Sequence, residues 1–141
     1  MRDQISVYVA GGYDSYLTVR EVVAALRSQG LAITCDWTQY VGGPRDAQAL
    51  AEVAKDEMNG VLDADIVVAL PGGRGTWCEI GGALMIKIPV LLLDHDDGER
   101  PVSFAALCRH RSLPRFEGGA VDPVALAAMV RAVLVRAVIG A

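Results

Sequence analysis

The sequence predicts an α/β fold: a doubly wound parallel sheet with helices on both faces, in a single domain spanning residues 1–141. Three observations predict it. Four short apolar runs, at residues 5–10, 31–35, 65–70 and 88–93, have strand length. The third of them, Asp-Ile-Val-Val-Ala-Leu, lacks the polar alternation of a half-exposed strand and reads as a strand covered on both faces. The segments between the runs carry apolar residues at helical spacing, and strands alternating with helices imply parallel pairing through helical crossovers. Right-handed crossovers then leave few topologies.

The elements follow in order. Residues 5–10 (ISVYVA) form the first strand, ended by Gly11-Gly12. Asp14 and Ser15 are the candidate caps of the next helix. Val19, Val22, Val23 and Leu26 recur along it, and Gly30 is the stop. Residues 31–35 are the second strand, and residues 36–45 (DWTQYVGGPR) a loop rich in glycine and aromatics. Asp46 caps a helix running to about Asn59. Residues 65–70 are the third strand, 71–75 a tight loop, 76–87 a helix and 88–93 the fourth strand. A polar loop (94–100) opens a looser region. Asp122-Pro123 pairs an N-cap with proline at the first helical position. That last helix runs to about Ala137, with Leu126, Met129, Val130, Val133 and Leu134 on one side.

Composition narrows the function. The chain is 52% hydrophobic, which excludes a disordered segment and predicts an exposed sticky patch, hence a homodimer or higher homo-oligomer. No apolar run approaches the roughly 20 residues of a membrane span, so no membrane partner is expected. Met1-Arg2-Asp3-Gln4 carries an acid and leads straight into a strand, unlike a signal peptide, so a cytoplasmic protein is expected. Seventeen acids against thirteen bases argue against polymeric nucleic acid as partner. Three cysteines, Cys35, Cys78 and Cys108, with no Cys-x-x-Cys, fit neither a disulfide framework nor a zinc ribbon.

In such sheets ligands bind beyond the carboxyl ends of the strands, where the strand order reverses. The unusual residues fall in those loops. The densest signal is Pro71-Gly-Gly-Arg-Gly-Thr-Trp-Cys-Glu79-Ile-Gly-Gly-Ala-Leu84. A glycine-rich turn into a helix presents free backbone N–H groups, which suit a phosphate, a carboxylate or a developing negative charge. Gly72, Gly73, Gly75 and Thr76, with Gly11 and Gly12 from the first loop, are therefore candidate substrate-binding residues. No Gly-Lys-Ser/Thr follows, so this is not a Walker loop. Cys78 stands where the third glycine of a dinucleotide fingerprint belongs.

Two carboxylates are candidates for chemistry. Thr76-x-x-Glu79 has capping-box spacing, in which the glutamate folds back onto its own backbone. The other reading of Glu79 is a nucleophile, kept anionic at neutral pH by the helix terminus. Gly81-Gly82, costly within a helix, signals a close approach there. Glu57 falls about 20° from Leu50 on a helical projection, within an apolar stripe with Val53, Ala54 and Val61. Burial near a helix C-terminus raises its pKa, which suits a proton donor. Alternatively Glu57 reaches solvent or pairs with an arginine. Tyr8, Tyr13 and Trp37, on or near the ligand edge, either pack or stack on a base. Arg74 either binds a phosphate or is solvated. Asp65 is read as tying a turn. His95 with Asp94, Asp96 and Asp97 looks like a metal cluster, but consecutive loop residues do not converge on one ion, and no metal is expected.

These residues resemble the nucleoside 2-deoxyribosyltransferase family, together with its relatives that hydrolyse nucleotide N-glycosidic bonds. Three segments carry the resemblance: Val7-Tyr8-Val9-Ala10-Gly11; Glu57-Met-Asn-Gly-Val-Leu-Asp-Ala-Asp65; and Gly75-Thr-Trp-Cys-Glu79-Ile-Gly-Gly-Ala-Leu84. Lys87-Ile-Pro-Val90 is also family-like. The resemblance implies a flavodoxin-like sheet and no cofactor, with Glu79 as nucleophile, Glu57 as assisting acid and Tyr8 in the site. Gly73 stands where family transferases often have an aspartate, and Glu57 where aspartate is usual. The run Pro-Gly-Gly-x-Gly-Thr-x-x-Glu also resembles phosphoribohydrolases that release bases from nucleotides. The implied reaction is cleavage or transfer at the N-glycosidic bond of a (deoxy)nucleoside or nucleoside 5′-monophosphate through a glycosyl ester on Glu79. Two other classes compete with it. One is a nucleotide-binding module in which Glu79 only caps its helix. The other is a structural oligomer joined through the C-terminal helix.

Overall fold

Strand and helix alternate as the hydrophobic pattern predicts. A computed structural model, which describes residues 4–95 and 103–139, has this element order: β1 (Ser6–Ala10), α1 (Tyr16–Ser28), β2 (Ala32–Ile33), α2 (Ala47–Leu62), β3 (Ile66–Ala69), α3 (Arg74–Met85), β4 (Val90–Leu93), β5 (Arg109–Arg111) and α4 (Pro123–Ile139). Short 3-10 turns at Tyr13–Ser15, Trp37–Tyr40 and Ser103–Leu107 fill three of the connections. The sheet is wholly parallel, in the order β2-β1-β3-β4-β5. This is the flavodoxin-like arrangement, with the order reversing between β1 and β3. Val7 pairs with Ile66, Tyr8 with Val67, Val9 with Val68 and Ala10 with Ala69.

The core lies on both faces of the central strands. Every residue of β3 and β4 is buried, as are Val7 to Ala10 of β1. Helices α1 and α4 pack together on one face, and α2 and α3 on the other. Leu126, Val130 and Val133 of the expected apolar side are buried in α4 together with Ala127, while Met129 and Leu134 are partly buried. Asp46 accepts from the Ala49 N–H at 3.0 Å and Asp122 from the Ala125 N–H at 3.1 Å, so both predicted caps form. Gly30, at φ +80°, ends α1 with the Leu31 N–H on the Leu26 carbonyl and its own N–H on Arg27. Lys87 closes α3 by the same bonding at φ 67°, a strained position for a side-chain-bearing residue.

Several boundaries differ from expectation. The α1 N-terminus has no side-chain cap; the Ser15 hydroxyl instead reaches the Gly12 carbonyl at 3.1 Å and the Pro71 carbonyl at 3.3 Å. The second strand shortens to Ala32–Ile33; the Thr34 N–H still donates to the Val7 carbonyl at 3.0 Å, while its hydroxyl reaches the Gly60 carbonyl of α2 at 2.7 Å. Helix α3 starts at Arg74 and not at Thr76, and α2 and α4 each extend two or three residues past the expected ends. Strand β5 is unforeseen. Its sequence, Arg-His-Arg, carries no apolar signal, and it is held by its pairing with β4 and by Asp94. Asp94 donates its N–H to the Arg111 carbonyl and accepts from Leu113 at 2.8 Å. Asp96, Asp97 and the rest of the loop to residue 102 lie outside the described residues. Among the described residues no helix is long and apolar enough to cross a membrane.

Candidate active site

The reversal in strand order brings the first and third glycine loops together. The Gly12 N–H donates to the Pro71 carbonyl at 3.3 Å, so it is committed to the fold. A Cβ on Gly72 would lie 2.0 Å from the Thr76 hydroxyl and 2.7 Å from the Gly12 nitrogen. One on Gly12 would lie 3.0 Å from the Gly72 Cα, and one on Gly11 2.7 Å from Val19. Gly11, Gly12, Gly72 and buried Thr76 thus form a tight joint between β1 and β3. Gly73, Arg74 and Gly75 sit on the exposed side of that joint, at the start of α3, with open space around both glycines. Gly72→Ala is expected to cost about 2–3 kcal/mol by overpacking, read as a lower urea midpoint at unchanged slope.

Tyr8, Glu57 and Glu79 come together below this joint. Tyr8 points from the centre of β1 toward the α2–α3 face and is fully buried. Its hydroxyl donates to Glu57 Oε2 over a long 3.4 Å and also touches the Glu79 carboxylate. Helix α2 comes this close because Gly60 has no side chain; a Cβ there would lie 2.7 Å from Cys35 and 2.9 Å from the Tyr8 ring. Burial, reinforced by both carboxylates, holds the Tyr8 hydroxyl protonated far above its ordinary range.

The capping reading of Glu79 does not hold. With Gly73 as N-cap, Glu79 lies in the second turn of α3, too far along to fold back onto the cap. Its setting also differs from the expected anion. Oε2 is sealed from solvent, and no donor among the described residues reaches it. Burial, followed by a hydrogen bond shared with Glu57, pushes the Glu79 carboxyl up to about 9, while its contact with Tyr8 opposes the rise. Glu79 therefore carries a proton at neutral pH, the reverse of the sequence expectation.

The pair opens into a cavity of about 620 Å³ between α2 and α3, walled by Met58, Val61, Leu62, Cys78, Met85 and Ile86. This corrects the helical projection of α2. Of the predicted stripe Val61 is buried and Val53 and Glu57 are half-buried, but Ala54 is exposed and Leu50 is 43% exposed; beside the stripe Met58 is 64% and Leu62 59% exposed on the cavity wall. Opposite them, Met85 is 77% and Ile86 44% exposed.

The remaining predicted residues divide between packing and rim. Trp37 is buried and donates its indole N–H to the Val9 carbonyl at 2.8 Å. Its neighbour Thr38 is clamped by Asp36 and by Arg20, whose guanidinium reaches the Thr38 carbonyl at 3.1 Å. Tyr13 is half exposed, its ring 6.3 Å from that of Trp37. Arg45, which no sequence motif marks, lies 4.7 Å above the Tyr13 ring. Its signal was modest: a lone cation closing the Gly-Gly-Pro turn. Asp65 accepts from the Ser6 N–H at 2.8 Å and ties β3 to β1. The His95 ring meets the Ala69 carbonyl at 3.1 Å and the edge of Trp77. Among the described residues no group of three His, Cys, Asp or Glu side chains could hold a metal, and Cys35, Cys78 and Cys108 are free thiols. No protein-family model matches the chain, and no curated protein does.

Proposed function

We propose that this protein cleaves or transfers the N-glycosidic bond of a nucleoside or nucleoside 5′-monophosphate, as a nucleoside 2-deoxyribosyltransferase-like enzyme of the cytoplasm. One observation carries the reading: two carboxylates, Glu57 and Glu79, meet around a buried tyrosine hydroxyl at the switch point of a parallel sheet. Two acids sharing one proton suit a reaction that needs a nucleophile and an acid together. The proton on Glu79 passes to Glu57. Ionised Glu79 forms a bond to C1′ as the C1′–N bond breaks, and the bond's electron pair leaves with the base. Glu57 protonates the departing nitrogen. Water or a second base then attacks C1′, Glu57 takes back a proton, and the Glu79 ester is released. Tyr8 steadies both carboxylates. Gly73, Arg74 and Gly75, at the open start of α3, are the groups that would take a 5′-phosphate. No metal or cofactor enters this scheme.

A second reading, a nucleotide-binding module, draws support from the buried proton on Glu79, which makes a weak resting nucleophile. Incubation with a panel of nucleosides and 5′-monophosphates, with and without an acceptor base, separates the two. Released or exchanged base, read by chromatography, is the expected result. Tight binding with no base release from any member of the panel would overturn the enzyme reading.

We further propose that the α2–α3 trench is covered by a second copy of the chain. Exposed Met58, Leu62, Met85 and Ile86 form an apolar surface contiguous with the site. Sedimentation is expected to show a homodimer or larger oligomer, and the double substitution Met58→Glu and Met85→Glu to shift it to monomer. A wild-type monomer at 100 µM would refute this.

A further inference from the structure

Away from this site, on the α1–α4 face at the far edge of the sheet, three arginines face a second cavity. Strand residues alternate sides, so Arg109 and Arg111 of β5 point the same way. Ala125, Ala128, Met129, Ala132, Val133 and Arg136 recur at helical spacing on the facing side of α4. Together they enclose about 360 Å³. A further 250 Å³ adjoins it, sharing Arg109, Val133 and Arg136 and extending toward Leu107 and Pro89. The combined space is within the range of small-molecule sites.

The charge in this trench is one-sided. Among the described residues its ionisable lining groups are the three arginines, and no acid lines either cavity. None of the three makes an ion pair among the described residues. Such a gathering is unusual in a chain where acids outnumber bases by seventeen to thirteen. Each cation has a local rationale. Charges on an edge strand deter pairing with other chains, and Arg136, in the last turn of α4, meets the negative end of the helix. Neither rationale places all three on one cavity, nor does it account for alanine at 125, 128 and 132. Those small residues keep the trench open beside the guanidinium groups. Arginine's planar fork matches phosphate oxygens.

We propose that the trench between β5 and α4 binds a small organic phosphate, with the phosphate among Arg109, Arg111 and Arg136 and a short apolar body over Ala128, Met129 and Ala132. The site is independent of the Glu57–Glu79 chemistry, so either proposal can fail without the other.

Calorimetric titration of the full chain with hexyl phosphate tests it, alongside sedimentation with vesicles containing phosphatidic acid. The soluble phosphate is expected to bind. The double substitution Arg109→Gln and Arg136→Gln weakens it at least tenfold, in line with the usual strength of charge-assisted hydrogen bonds, with an unchanged melting temperature. Ala132→Leu, which fills the trench and leaves the arginines, brings hexyl phosphate down to the affinity of inorganic phosphate. Capture on vesicles alone supports the same phosphate chemistry and identifies the source as a lipid headgroup. Equal binding by wild type and the double variant, or no binding in either arm, overturns the proposal. So does a change of oligomeric state in the double variant without phosphate binding in wild type, which makes the trench a contact between copies.

Discussion

Glu79→Gln is expected to lower base release or exchange by about a thousandfold or more, and to raise the melting temperature at neutral pH. The first effect follows from the proposed role: an amide cannot form the glycosyl ester. The second follows from burial. The Glu79 carboxyl is raised from 4.5 to about 9 in the folded chain. Between those values the unfolded chain has released this proton and the folded chain still holds it. Stability contributed by Glu79 therefore falls as pH rises from about 4.5 to about 9. Glutamine keeps the shape without the ionisation, so the variant gains on the order of 1–3 kcal/mol across that window and converges with wild type below it. Thermal unfolding followed at pH 4, 7 and 9 measures the gain. A variant less stable than wild type at pH 7 would mean that the carboxylate is a structural clasp, and equal turnover would remove it from the chemistry.

The second large effect lies in the pH profile. In wild type the shared proton is lost near pH 9, so kcat/KM is expected to fall above that value. Glu57→Gln removes the charge that helps keep the proton on Glu79 and leaves only a neutral amide acceptor in its place. The alkaline fall disappears, the Glu79 carboxyl moves only part of the way toward its ordinary range because its burial remains, and the remaining rate is about 10²–10³-fold lower for want of an acid. Stopped assays from pH 5 to 10 test this. An unchanged alkaline limb in the variant would place the titrating group elsewhere. Tyr8 cannot be that group, because its hydroxyl stays protonated throughout the range.

The sheet was legible because its buried strands are uniformly apolar. Residues 66–69 and 90–93 have no polar position, and parallel pairing follows from the helices between them. Strand β5 was not, because two arginines and a histidine pair through backbone alone. The meeting of Glu57, Glu79 and Tyr8 was expected only through a family resemblance. The geometry that permits it depends on Gly60, whose importance lies in contacts with Tyr8 and Cys35 far away in sequence. The raised Glu79 carboxyl runs opposite to the sequence expectation for a local reason. Capping-box spacing put it at the helix terminus, whereas the helix begins at Arg74 and carries the carboxyl inward, where burial outweighs the helix dipole. Of the two readings of Trp37, packing and stacking, packing holds: the ring is buried and its indole N–H serves the β1 backbone.

The strand order also governs how the chain assembles during synthesis. Strand β1 is made first, yet it lies inside the sheet, and its longer partner, β3, starts only at residue 66. Until then the apolar stretch from Val7 to Ala10 has only the two-residue β2 beside it. A nascent chain halted before residue 66 should therefore recruit chaperones, and one released at that length should aggregate. Chains carried past Leu93 can zip the three inner strands, β1, β3 and β4, together in one cooperative step.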